Sequence, residues 1–124
     1  MENINILNAK PIIVFDDNRD LIKFEGIFMA LSSWDNKGKI FTQVNDYLDS
    51  RNQTTVECSL IYVDSVSRKI FFEIFNTLKS AIKNDNKKID IFWKYDPDDE
   101  TIYELGKVMH EVVDQPINFV EVPD

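Results

Sequence analysis

Residues 56–67 read Val56-Glu57-Cys58-Ser59-Leu60-Ile61-Tyr62-Val63-Asp64-Ser65-Val66-Ser67, and the fold turns on them. The first eight are mostly apolar, β-branched or aromatic, the pattern of a strand near the middle of a sheet. Beyond them Ile70, Phe71, Ile74, Phe75, Leu78, Ala81 and Ile82 mark one face of a long helix. A strand that hands over directly to such a helix belongs to a βαβ crossover. The handover carries a carboxylate, Asp64, and two hydroxyls, Ser65 and Ser67, all helix-capping residue types. Exposed N–H groups and the positive end of the helix dipole also make this turn a seat for a phosphate. Two readings of the hydroxyls stand at this point: caps, or a phosphorylation switch.

Working outward, residues 12–15 (Ile-Ile-Val-Phe) and 21–28 read as strands. Asp16-Asp17-Asn18-Arg19-Asp20 between them reads as a turn, which predicts an antiparallel hairpin. Asp35-Asn36 offers caps for a helix over 37–50, whose buried face is Ile40, Phe41, Val44, Tyr47 and Leu48. After the central strand, placed at 55–63, and its helix, Asn84-Asp85-Asn86 is a stop. Residues 89–95 form a fourth strand. Asp96-Pro97-Asp98-Asp99 opens a third helix with Ile102, Leu105, Met109 and Val112 facing inward. Gln115-Pro116 ends it, and 117–122 is the last strand.

The order ββαβαβαβ predicts an α/β fold: a mixed five-stranded sheet, parallel in its middle, with right-handed crossovers and three helices on one face. The chain reads as a single domain over 11–124 after a flexible N-terminus at 1–10.

Composition narrows the function. The chain has 124 residues and a net charge of −8, which disfavours nucleic acid and anionic membranes as partners. Neither a signal peptide nor a membrane span is legible, so a cytoplasmic protein is expected. The single cysteine, Cys58, excludes an internal disulfide and a Cys-based zinc site, and reads as a buried small hydrophobe. Asp16, Asn18 and Asp20 have the opening spacing of a calcium loop. Leu21 and Ile27 then stand where Gly and Glu are required, so a solvated turn is the reading. The carboxylates at 96–100 read as a helix cap, and the lone His110 as a surface residue. Gly106 inside a helix points to a close packing contact. With no phosphate loop, HExxH or GxSxG, the chain is poorly equipped as an enzyme, and no cofactor or metal is expected.

Several of these features, in this order, resemble the SiaC family of bacterial regulatory phosphoproteins, whose fold is similar to STAS (anti-sigma-factor antagonist) domains. The family hallmark Leu-x-Tyr-x-Asn-Thr-Ser-Ser-x-Lys lies against Leu60-Ile61-Tyr62-Val63-Asp64-Ser65-Val66-Ser67-Arg68-Lys69. Trp34-Asp35-Asn36 with Ile40-Phe41 and Tyr47-Leu48 matches a second family pattern, Trp34 replacing a Pro. Trp93-Lys94-Tyr95-Asp96, Asp98-Asp99-Glu100, Glu104-Leu105-Gly106 and Pro116-Ile117-Asn118-Phe119 also fit.

The resemblance implies a non-catalytic switch. A Ser/Thr kinase of histidine-kinase-like fold would phosphorylate the hallmark and a PP2C-type phosphatase would clear it. The unphosphorylated form would bind a diguanylate cyclase, linking the chain to cyclic-di-GMP and biofilm formation. By position the acceptor is Ser65, with Ser67 in reserve. The serine modified in STAS antagonists corresponds to Val66, which takes no phosphate. Asp64, Val66, Arg68 and Lys69 would meet the partner. Two alternatives remain: an anti-sigma-antagonist-like partner switch, and a small acidic metal-dependent enzyme using the carboxylates of 96–100. Ser65 and Ser67 are both expected to be exposed.

Overall fold

The computed structural model describes residues 10–29 and 37–123. The expected caps Asp35 and Asn36, Trp34, and nearly all of the expected flexible N-terminus lie outside the described residues.

Within them the elements are β1 (Ile12–Asp16), β2 (Leu21–Phe28), α1 (Lys37–Asp49), β3 (Gln53–Val63), α2 (Ser65–Asp85), β4 (Lys88–Tyr95), α3 (Glu100–Val113) and β5 (Asn118–Glu121). The β1–β2 hairpin turns where the Asp16 carboxylate accepts the backbone N–H groups of Asn18 (3.0 Å) and Arg19 (3.3 Å). Each later strand is reached through a helix and lies parallel to the one before it, so the sheet order is β1-β2-β3-β4-β5. Crossovers of one hand that all step in one direction leave every helix on the same side.

Burial follows that arrangement. In β2, Ile22, Phe24 and Phe28 are buried; in β3, Val56, Cys58, Leu60 and Val63; in β4, Ile89, Ile91 and Trp93. All face the helices. Phe71 of α2 meets Phe24 and Phe28 edge-on at 5.4 and 5.3 Å, and Phe75 meets Trp93 at 6.2 Å. Tyr47 of α1 packs on Phe15, and its hydroxyl donates to the Asp16 carbonyl oxygen. Arg51 lies 3.6 Å above the Tyr47 ring and pairs with Asp17 (3.2 Å) and Asp20 (3.0 Å). The hairpin turn is thus fastened to the end of α1.

The opposite face of the sheet is half-exposed and carries charge pairs such as Glu57–Lys94 at 2.6 Å. One-sided cover explains the strict alternation of buried and half-buried residues along β2.

Two details shape the end of the sheet where α2 begins. Gly26 pairs with Leu60 but Ile27 pairs with Tyr62, so Ile61 is an extra residue in β3. The bulge shifts the phase of the strand: burial falls on Leu60 and then Val63, and Tyr62 is left 53% exposed. Gly26 itself has φ +104°, and a side chain there would strike the Lys10 carbonyl oxygen.

Candidate functional site

Asp64 makes the β3–α2 junction a fixed point. Its backbone N–H donates to the Phe28 carbonyl oxygen of β2 (3.1 Å), and its own carbonyl accepts from Arg68 (2.9 Å). Its carboxylate accepts the Ser67 N–H at 2.8 Å, the N-cap bond of α2. Extended backbone at the cap (φ −77°, ψ 177°) lets the strand become a helix without an intervening loop.

Ser65 is therefore the first helical residue, and it is exposed. Val66 beside it is 49% exposed. Arg68 and Lys69 lie one turn on, at i+3 and i+4 from Ser65, where helix side chains are neighbours. Among the described residues neither is held in an ion pair. The first turn of α2 contains no acidic residue. A phosphate on Ser65 would meet the positive end of the helix and two cations, against the one charge of Asp64.

Ser67 corrects an expectation. It is fully buried rather than exposed, so in the folded protein a kinase has no access to it. The cause is helical spacing: Ser67 stands three and four residues before Ile70 and Phe71 and continues their stripe toward buried Val63. Extending the apolar periodicity back one turn from Ile70 would have revealed this. The structure also adds residues that periodicity missed. Met29 (43% exposed), Ile61 (41%) and Tyr62 surround the junction with apolar surface, through a bulge that has no signal in the sequence.

The other candidates take structural roles. In the 96–100 segment the Asp96 carboxylate accepts the Asp98 N–H (2.8 Å), and Asp99 caps α3 through the Ile102 N–H (3.0 Å). Among the described residues no cluster of three or more His, Cys, Asp or Glu is placed to hold a metal ion. His110 is half-buried rather than a free surface group: its Nδ1 accepts the Ile117 N–H at 3.2 Å and ties α3 to the approach of β5. Cys58 is fully buried, and burial pushes its thiol pKa far up, so it behaves as a core residue. A side chain at Gly106 would place Cβ 2.5 Å from Trp93 Nε1, whose N–H donates to the Ile102 carbonyl oxygen (3.0 Å); the expected close contact is there. No described helix is long and apolar enough to cross a membrane.

Three comparisons bear on this geometry. A family model described as SiaC family regulatory phosphoprotein matches residues 4–122. No curated protein matches the chain. Among solved structures, the chain resembles one in the crystal structure of the diguanylate cyclase SiaD in complex with its activator SiaC from Pseudomonas aeruginosa. That match has 21% identity and a TM-score of 0.76, and covers 91% of each chain. SiaC of the same organism gives 20% identity over 94% of this chain and 92% of that one, with a TM-score of 0.74. Its apo crystal structure gives 19% identity over 91% and 90%, with a TM-score of 0.69. At these identities the structures speak for the fold.

Proposed function

This chain belongs to the SiaC family of regulatory phosphoproteins, and on that premise we propose that it is a cytoplasmic partner switch operated at Ser65. It is a regulator rather than an enzyme. In this reading a Ser/Thr kinase of histidine-kinase-like fold adds phosphate at Ser65 and a PP2C-type phosphatase removes it. The unphosphorylated form binds a target, by likeness to the SiaC–SiaD pair a diguanylate cyclase.

The observation that carries the proposal is an exposed hydroxyl at the first position of α2, beside Val66 and within a turn of Arg68 and Lys69. Kinase access needs exposure, and Ser65 has it where Ser67 does not. A phosphate adds about −1.5 to −2 charge at neutral pH. On the isolated chain that charge is favourable, because the helix end and the two cations receive it. Under a bound partner the same dianion must be stripped of water, which opposes the complex. Binding is thus more sensitive to the modification than folding is.

The test pairs the chain with any Ser/Thr kinase of histidine-kinase-like fold, PP2C-type phosphatase and diguanylate cyclase that its genome encodes. Intact mass and fragmentation should place one phosphate on Ser65, removed by the phosphatase. In titrations, Ser65→Ala should retain cyclase binding, while Ser65→Glu and the phosphorylated chain should lose at least tenfold. Charging the neighbouring apolar surface with Val66→Glu should weaken binding too. Circular dichroism should stay unchanged throughout. Equal binding by phosphorylated and unphosphorylated chains would end this reading.

A further inference from the structure

The two edges of the sheet are built differently. β5, at one edge, has four residues, and its Asn118 amide donates inward to the Ile91 carbonyl oxygen (3.2 Å). Glu121 ends it with a charge and Pro123 follows. Short length, charge and proline are ordinary means of keeping an edge strand from pairing with another chain. β1, at the other edge, has neither charge nor proline over its first four residues, Ile12-Ile13-Val14-Phe15. It pairs with β2 in unbroken register from Ile12 to Asp16. Among the described residues no strand pairs with its outer side. Its side chains divide by face. Ile13 and Phe15 stand opposite buried Phe24 and Ile22 and turn to the helices. Ile12 and Val14 stand opposite Glu25 and Lys23 on the open face, 44% and 37% exposed, with Asp16 next in line. Alternation carried back past Pro11 puts exposed Lys10 at the other end of that row.

From this we infer that β1 pairs with β1 of a second copy of this chain, antiparallel and centred on Ile13. A strand that meets its own copy across a twofold axis normal to the sheet runs antiparallel to it, with the helices of both copies on the same side. The two five-stranded sheets then join as one. Charge fixes the register. With Ile13 on the axis, Ile12 lies opposite Val14 of the second copy, and Lys10 lies opposite its Asp16. Symmetry repeats both pairs, so two apolar contacts are flanked by two contacts of opposite charge. With Val14 on the axis, Asp16 would face Ile12 and Lys10 would face Asn18. A net charge of −8 makes two copies repel over most of their surface, whereas this row is complementary to itself. A five-residue strand buries far less than the ~800 Å² per partner of a standard interface, so the dimer grows with concentration rather than being permanent. β2 separates the seam from β3 and the Ser65 junction, and pairing leaves that junction uncovered. Dimer formation is therefore independent of the proposed switch. Its consequence is an assembly with two Ser65 junctions, one at each end of the joined sheet.

The experiment uses the full chain at rising concentration. Sedimentation should move from one chain toward two, and β1 amides that exchange freely in dilute protein should gain protection over the same range. Val14→Lys sets a cation in the apolar row, and Lys10→Glu sets a carboxylate against Asp16 of the second copy. Each should weaken the dimer at least tenfold. Val122→Lys, at an exposed valine (46%) beyond β5, is the control and should associate as the parent chain does. Thermal unfolding of dilute protein should stay unchanged in Lys10→Glu, whose site precedes β1, so the test survives a folding defect in Val14→Lys. Introduced cysteines read the register, since Cys58 is fully buried. Under mild oxidation, a mixture of Ile12→Cys and Val14→Cys chains should form a disulfide dimer faster than either chain alone. Fastest crosslinking by Val14→Cys alone overturns the register. A single-chain mass at every concentration, or association untouched by both β1 variants, overturns the pairing. Protection of every β1 amide in the dilute monomer also overturns it, because the edge is then covered within one chain.

Discussion

The molecule contains two strand-to-helix junctions that solve the same problem differently. At β3–α2 and at β4–α3 an aspartate caps the helix, Asp64 through the Ser67 N–H and Asp99 through the Ile102 N–H. The second junction uses a short acidic loop for the turn and places Glu100 in the first helical turn. Its positive helix end is already supplied with negative charge. The first junction has no loop, no acidic residue in its first turn, and an exposed hydroxyl where such a residue would sit. One helix end carries a carboxylate in its first turn and the other carries an uncharged hydroxyl. The position of α3 is also locked from beneath, by the Trp93–Ile102 hydrogen bond and the Gly106 contact. A switch is better placed where a charge can arrive without disturbing the core.

Mutations separate the two junctions. The largest effect belongs to the locked helix: Gly106→Ala forces Cβ into Trp93 and Phe119 and should lower stability by about 1–3 kcal/mol, read by denaturant unfolding. Phosphorylation of Ser65 at a temperature where this variant is folded should be unaffected. Removing either cap, Asp64→Ala or Asp99→Ala, should cost about 1 kcal/mol each in the same measurement. Only Asp64→Ala should change target binding; an equal change with Asp99→Ala would erase the distinction between the junctions.

A smaller effect separates them by charge. Ser65→Glu should stabilise α2 by ~0.3–1 kcal/mol at low salt, while Thr101→Glu, beside Glu100, should add less to a helix end that is already anionic. Thermal midpoints at low and high salt read both. The smallest expected response is none. Cys58 lies on β3 beneath the helix layer, fully buried and with its thiol held protonated by burial. Iodoacetamide should leave it unmodified in native protein before and after Ser65 phosphorylation, and modify it only on unfolding. Labelling triggered by phosphorylation would mean that the charge opens the core, against the view of α2 as a rigid platform.

Much of this architecture is legible in the order of residues. The stripe from Ile70 to Ile82, the alternation along β2 and the Asp-Pro opening of α3 are local patterns, and each element forms where its pattern lies. Gly106 signals its close contact by being unfavourable in a helix. The Asp64 cap is legible because capping chemistry is also local, whereas nothing local separates exposed Ser65 from buried Ser67. The role of His110 is not legible, since its partner, the Ile117 N–H, comes within reach only once α3 and the approach to β5 are packed.

The sequence by itself determined the elements, their order, the Asp64 cap and the two hydroxyls at the start of α2, because backbone preferences and hydrophobic period act over a few neighbouring residues. Tertiary structure alone decided which side chains at that position are reachable. Packing of α2 on β2 and β3 buried Ser67 beside an exposed Ser65, and the pairing of β2 with β3 forced a bulge that turned Ile61 and Tyr62 outward. The side-by-side setting of α2 and α3 brought Arg68 across from Glu100 and Glu104. Each of these depends on a surface contributed by a distant part of the chain, and burial is a property of both surfaces at once.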